Sequence, residues 1–330
     1  MAPAPADAKR PAGESGKRPS QSAGHYAERQ EVADFIAQMV ERHGFDEQSL
    51  RRVFDRARRN TDVLRLIAPP PPGFKRSWEA YRARFLDPLR VREGLAFWRK
   101  HEAALELAQA TWRVPPEIVV AIIGVETIYG RVTGDFRTLD ALTTLAFDYP
   151  RRAEFFRGEL EQLLLYAREQ QRDVFEVRGS FAGAIGLPQF MPGSIRRYAT
   201  DMDGDGRIDL HGSPVDAIGS VARFLAEHGW VGGETTHFDA SFRPDARIAP
   251  LIEAGIEPRF TPGELAQYGV GSPQEIAPDT LLALIDLPNA DAPPAYYLGA
   301  RNFYVITRYN RSSFYAMAVI ELSKVLASGR

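Results

Sequence analysis

Apolar positions recur every three or four residues through most of the chain, the spacing of helices that bury one face. "VADFIAQMVERHGF" places Val32, Phe35, Ile36, Met39 and Val40 on one side and stops at Gly44, which predicts an amphipathic helix with a glycine end. "PPPPGF" (69–74) interrupts with a stiff extended stretch, after which "SWEAYRARFLD" and "REGLAFWRKHEAALELAQATW" resume the helical period. Pro115 and Pro116 suit the first turn of the next helix, where a missing N–H costs nothing. Residues 116–230 stay mainly helical, joined by Gly- and Pro-rich loops at 130–138, 179–193 and 201–214. From about 236 the pattern changes. "TLLALIDL" (280–287), "AYYLGA" (295–300) and "FYVITRY" (303–309) read as strands between Pro, Asn, Asp and Gly. "SFYAMAVIELSKVLA" predicts a closing helix, and there is no internal repeat. The expected class is α+β, mainly α: a helical body carrying a small sheet-containing insertion.

Totals narrow the functional classes. A length of 330 residues allows roughly two domains of ordinary size. With 41 Lys and Arg against 43 Asp and Glu, the chain has no overall field to draw it onto nucleic acid, and no basic stripe interleaves with aromatics. The absence of cysteine removes disulfides, thiolate catalysis and Cys-ligated zinc together. No apolar segment approaches the roughly 20 residues of a membrane span. The stretch 1–24, "MAPAPADAKRPAGESGKRPSQSAG", lacks the apolar core of a signal peptide and reads as a disordered tail.

Glu126 is the chemically odd residue. On a helix it follows Ile122 by four positions, Val119 by seven and Ile118 by eight, so it shares their buried face. Desolvation penalises the charged form, and a carboxyl still protonated near neutrality can act as a general acid. A Glu that turns to solvent at a helix end fits the same letters. A glycosidase usually needs a second carboxylate; Asp135 and Asp140 are near in sequence, yet both also suit turn or helix caps.

Four other segments carry candidate chemistry. "DMDGDGRIDL" sets Asp201, Asp203 and Asp205 at positions one, three and five of an EF-hand loop, with Gly206 at the sharp turn and the Arg207 carbonyl at seven. Position twelve is Gly212 instead of Glu, so a longer loop closed by Asp216, with Asp209 nearby, is expected. Converging like charges ask for a cation, and calcium in a structural role is the expected occupant; a metal-free Asx turn is the plain alternative. "GSFAGAIGLPQFMPGS" (179–194) carries Gln189, Phe190 and Met191 between prolines, offering an amide and apolar surface suited to a sugar cleft or to an ordinary connection. "NFYVITRYNRSSFYAMAV" supplies Phe303, Tyr304, Tyr309, Asn310, Phe314 and Tyr315, and "WEAYRARF" supplies Tyr81, as sugar-facing aromatics or as core.

Read in order, "PPEIVVAIIGVETIYGRVTG", "TLDALTTLAFDYPRRAEFFRGEL", "GSFAGAIGLPQFMPGSIRRYA", "DGDGRIDL", "PVDAIGSVARFLAEHGW" and "NFYVITRYNRSSFYAMAV" resemble the membrane-bound lytic murein transglycosylase B family. The likeness covers most of residues 74–322 and implies a lysozyme-like core with a helical N-terminal domain and a small β domain. The implied division is a helical domain at 25–110, a core at 111–235 and 296–330, and a β-containing domain at 236–295. It further implies cleavage of the β-1,4 bond between N-acetylmuramic acid and N-acetylglucosamine by Glu126, first as acid and then as base. The muramoyl 6-hydroxyl attacks its own anomeric carbon, so a second carboxylate is dispensable. Ser180, Gln189 and Asn310 match polar cleft positions, Tyr81, Phe190, Tyr309 and Tyr315 aromatic ones, and Arg151 and Arg152 suit carboxylates of the peptide stem. The Asp201, Asp203, Asp205, Arg207 and Asp216 set falls on the family's EF-hand-like loop, with sodium as an alternative to calcium and no organic cofactor. Peptidoglycan strands are the implied partner, with other cell-wall enzymes as candidates, a monomeric state, and a periplasmic place, soluble or attached to the outer membrane by an anchor not present here. A lysozyme-type hydrolase and a non-catalytic wall-binding module are the competing readings.

Overall fold

The computed structural model describes residues 26–330, so the tail expected at 1–24 lies outside the described residues. The first predicted helix forms as Gln30–His43, burying Val32, Phe35, Ile36 and Met39 and ending at left-handed Gly44. Side-chain caps start the following helices: Asp46 accepts from the Ser49 N–H, Asn60 from the Asp62 and Val63 N–H groups, Ser77 from Ala80, and Asp87 from Arg90. Such caps satisfy backbone donors that a helix leaves open at its first turn.

The helix Pro116–Thr127 lies at the centre. Every residue is buried except Glu117 and Glu126, the pattern of a core helix surrounded on all sides. Helices Pro88–Lys100, Glu102–Trp112, Pro214–Glu227 and Ser313–Ser328 pack around it. Truncating a fully buried member such as Ile122 to Ala costs about 2–5 kcal/mol. One apolar core runs from Tyr26 to Leu326, so the N-terminal helices share it with the central helix.

The insertion has its own small core of Leu251, Leu265, Val270, Leu282, Leu284, Leu298 and Ala300. Its antiparallel sheet sets strand Ala292–Gly299 between His237–Asp239 and Ala283–Asn289. Leu284 pairs with Leu298, which aims both at that core. The hairpin tip reaches back to the start of helix Trp78–Arg82, where Asn289 Oδ1 accepts the Glu79 N–H at 2.9 Å and Ala290 N–H donates to the Arg76 carbonyl at 2.8 Å. That contact steadies the helix bearing Tyr81. Two-stranded pairings join Phe136–Arg137 to Arg178–Gly179 and Ser241–Phe242 to Val270–Gly271.

One expected strand is a helix. "FYVITRY" (303–309) belongs to the helix Arg301–Tyr309, with Asn302, Phe303, Val305, Ile306 and Thr307 buried. Its β-branched and aromatic residues favour strands only where a pleated surface receives them. Here Asn302 instead fixes the helix start: its side chain accepts from Val231 N–H and donates to the Val231 and Glu234 carbonyls.

Candidate active site

Glu126 closes the central helix one residue before its last member. The chain then turns through left-handed Ile128 (φ 50°), Tyr129 (φ 58°) and Gly130 (φ 90°). A β-branched residue in that region is strained, and such strain concentrates at functional sites. The Thr127 hydroxyl donates to the Leu187 carbonyl at 3.0 Å, which ties this corner to the loop carrying Gln189.

The Glu126 side chain is part-exposed, while its surroundings are dense enough that burial pushes its pKa up to about 7. The opposing influence is the Tyr315 hydroxyl, which donates to Oε1 at 2.7 Å and favours the charged form. Tyr315 is fully buried and stacks on Tyr309, with centroids 6.2 Å apart and planes 13° apart. The Tyr309 hydroxyl donates to the Pro188 carbonyl at 2.5 Å. Burial and the nearby Glu126 carboxylate raise the pKa of Tyr81, as they do for Tyr309 and Tyr315, so all three phenols stay neutral. The Tyr81 oxygen is buried without a hydrogen-bond partner among the described residues. Tyrosines from three separate segments thus converge on one carboxyl.

The remaining candidates take different places. Gln189, at φ 50°, donates its amide to the carbonyls of Thr133 (3.0 Å) and Gly186 (2.9 Å), locking two loops together. Those loops approach so closely that a Cβ on Gly134 would lie 2.3 Å from the Gly179 oxygen. Ser180 Oγ accepts the Ala184 N–H at 3.1 Å inside the second loop. Phe190 is 2% exposed and packs on Tyr309 and Phe224, so it buttresses Tyr309 instead of offering a face to a sugar. Asn310 is buried. Arg151 is exposed, and the Arg152 guanidinium sits 4.2 Å above the Phe155 ring.

No second carboxylate influences Glu126 among the described residues. Asp140 accepts the Arg58 N–H and the Arg137 side chain, each at 2.8 Å, and Asp135 is exposed.

In the Asp-rich loop, oxygens of Asp201, Asp203 and Asp205 lie within 4.8 Å of one another. No arginine or lysine forms a salt bridge with any of them among the described residues; loop N–H groups and the Ser213 hydroxyl hold them in place. This convergence of hard oxygens without a protein cation fits a calcium-sized ion. Asp216 adjoins that trio, accepting the Asp203 N–H and feeling the Asp203 charge. Its oxygens accept the N–H groups of Met202 (2.9 Å) and Asp209 (2.8 Å), which pins the two ends of the loop to helix Pro214–Glu227.

The family model described as transglycosylase SLT domain matches residues 27–324. The chain belongs to the transglycosylase SLT family. It is 44% identical over 318 residues to membrane-bound lytic murein transglycosylase B of Escherichia coli K12, covering 94% of this chain and 86% of that protein. It is similar to the E. coli lytic transglycosylase SLT35 in complex with calcium, at 44% identity and a TM-score of 0.83, covering 94% of this chain and 96% of that one. It is also similar to SltB3 of Pseudomonas aeruginosa in complex with NAG-NAM-pentapeptide, at 32% identity and a TM-score of 0.77, covering 91% and 80% respectively.

In this SLT-family chain, sequence reasoning missed the brace behind Glu126. Buried Arg90 donates through Nε to the Gly124 carbonyl at 2.9 Å and also bonds Asp87 and the Arg84 carbonyl. The Tyr129 hydroxyl fills the space beside Gly94 and Gly124, where a Cβ on either would lie 2.3 Å away. A glycine in mid-helix was the available sign of a close approach.

Proposed function

We propose that this chain is a lytic murein transglycosylase that cuts the β-1,4 bond between N-acetylmuramic acid and N-acetylglucosamine by an intramolecular route. Glu126, carrying its proton, protonates the glycosidic oxygen as the C–O bond breaks. The muramoyl 6-hydroxyl then bonds to the anomeric carbon, and the Glu126 carboxylate takes the hydroxyl proton. Water is not consumed, and the carboxyl ends as it began. The observation that carries this reading is a single carboxyl, hydrogen-bonded by Tyr315 at 2.7 Å and raised by burial to a pKa of about 7, with no second carboxylate acting on it among the described residues. A hydrolase would need that second group to activate water.

Tyr81, Tyr309, Gln189, Ser180 and Asn310 form the proposed cleft, with Arg151 and Arg152 toward the peptide stem and Phe190 behind Tyr309. Asp201, Asp203, Asp205, the Arg207 carbonyl and Asp216 hold the proposed calcium, with sodium as an alternative. The ion stabilises the fold and takes no part in the chemistry. The relative's name, membrane-bound murein transglycosylase, and the location of murein support action in the periplasm, soluble or at the outer membrane. Among the described residues no helix is long and apolar enough to cross a membrane. Monomeric action, with other cell-wall enzymes as candidate partners, completes the reading.

Mass analysis of products from purified peptidoglycan tests it. Muropeptides one water lighter than hydrolytic products are expected. Reducing-end products would establish a hydrolase, and intact murein a binding module.

A further inference from the structure

Among the described residues Arg90 is the only buried arginine, at 3% exposed. A guanidinium out of water is costly unless its donors find partners. Asp87 supplies part of the answer at the start of the helix Pro88–Lys100: Oδ1 accepts the Arg90 N–H at 3.0 Å, and Oδ2 accepts from Nη1. The other partners face the site. Nε donates to the carbonyl of Gly124, just ahead of Glu126, at 2.9 Å, and Nη1 also donates to the Arg84 carbonyl. The guanidinium carbon lies 5.1 Å from the centre of the Phe85 ring, which packs on Tyr81 with centroids 4.9 Å apart. One planar cation thus joins the turn after Tyr81 to the helix end that carries Glu126.

That helix end is under strain. The Gly124 carbonyl also accepts the Ile128 N–H at 3.1 Å, where the helix gives way to left-handed Ile128 and Tyr129. Residues other than glycine persist in that conformation only where their surroundings hold them. Here Arg90 holds the Gly124 carbonyl, and the Tyr129 hydroxyl fills the space beside Gly94 and Gly124. Burial and the Tyr315 hydroxyl are what shift the Glu126 pKa, so Arg90 acts on the carboxyl through position and not through its charge. We propose that Arg90 is a positioning residue of the reaction: it holds the end of the Glu126 helix against the Tyr81 turn, so that the carboxyl meets the Tyr315 hydroxyl and the glycosidic oxygen together. The proposal rests on the Glu126 reading above. A lysine is no equivalent, because a point charge on a flexible stem lacks the fixed directions of Nε and Nη1.

Arg90→Lys therefore keeps the charge and loses the fork. On solubilised murein glycan strands it is expected to lower kcat about 10–100-fold with KM changed less than about threefold, the scale of a misplacement near 1 Å. The titratable groups that feel Glu126 are Tyr81, Tyr309 and Tyr315. Because the displaced carboxyl loses its Tyr315 donor, the alkaline limb of the activity profile is expected to move up. In a Tyr315→Phe background the same substitution is expected to move it no further. Parental kcat in the folded variant overturns the proposal, and so does a loss of kcat with an unmoved limb, which marks general loosening. If Arg90→Lys melts out, Asp87→Asn decides by the same readouts. It keeps an acceptor for the Arg90 N–H, removes the charge that orients the guanidinium, and is expected to lower kcat about threefold with the limb moved up; parental kcat there also overturns the proposal.

Carbon-13 NMR of the glutamate carboxyls separates this from the catalytic reading. The Glu126 resonance, identified by its loss in Glu126→Gln, is expected to titrate at about 7 in the parent. In Arg90→Lys its midpoint is expected about one pH unit higher, the scale of one hydrogen bond to a charged group. Equal midpoints sink the assignment of Arg90. If Glu126→Gln keeps parental turnover, the catalytic reading falls, and the resonance still decides whether Arg90 places the carboxyl.

Discussion

One carboxyl in the Glu126 site is surrounded by apolar side chains and a tyrosine hydroxyl, whereas three carboxylates crowd within 4.8 Å in the Asp201–Asp205 turn. On the proposed reading the first gains reactivity from dryness, since burial pushes its pKa up to about 7. In the second, backbone donors and a serine order the oxygens, and on the proposed reading their gathered charge draws a cation. Acidic residues thus serve opposite ends in one chain. On the proposed reading a lone carboxyl supplies a proton and a cluster takes up an ion.

The largest effect that can break this contrast is Glu126→Gln. It is expected to lower turnover of peptidoglycan by about 10²–10⁴-fold while binding to murein persists, measured by release of anhydro products and by co-sedimentation. Normal turnover would remove Glu126 from the mechanism.

Next comes the cation. Calcium at about a hundred times its dissociation constant is expected to stabilise the parent by about 2.7 kcal/mol, and Asp203→Ala is expected to abolish that gain. Identical melting of the parent with calcium and with chelator would leave the loop a metal-free turn.

A third experiment uses the sign of the Glu126 shift. Its folded-state pKa of about 7 exceeds the ordinary 4.5, so the folded protein holds this proton more tightly than the unfolded chain. The associated stability is full below pH 4.5 and is lost as pH rises through 7. Relative to the parent, Glu126→Gln is therefore expected to be more stable at pH 8 than at pH 4 by about 2 kcal/mol, read from denaturant midpoints, a value discounted for the part-exposed side chain. A pH-independent difference would mean an ordinary, hydrated Glu.

The smallest effect is Tyr315→Phe. Losing a donor to the charged form raises the Glu126 pKa further, so the alkaline limb of the activity profile is expected to move up, with a change of about 1 kcal/mol. An unmoved or lowered limb would show that the 2.7 Å contact does not act on the carboxyl.

Local signals were readable where a residue acts through its near neighbours. The Val32–Val40 face with its Gly44 stop, the Pro116 helix start and the Asp201, Asp203 and Asp205 spacing all operate over a few positions. The segment at 303–309 misled because its strand-favouring residues meet a helical packing surface fixed by Asn302 and the backbone of Val231 and Glu234. Phe190 carries the side chain that the resemblance implied, yet it faces Phe224 and Tyr309. Composition names a group; contact assigns its partner.

By itself the sequence determined that an apolar helix ends in an acid, that three aspartates alternate in one turn, and that cysteine chemistry is absent. These follow from chain order, since periodicity and short loops act among adjacent residues. Only the tertiary structure decided that Tyr315, 189 positions from Glu126, donates to it, and that Arg90 joins the Gly124 and Arg84 carbonyls. Such meetings depend on how helices pack, and packing is a property of the whole core.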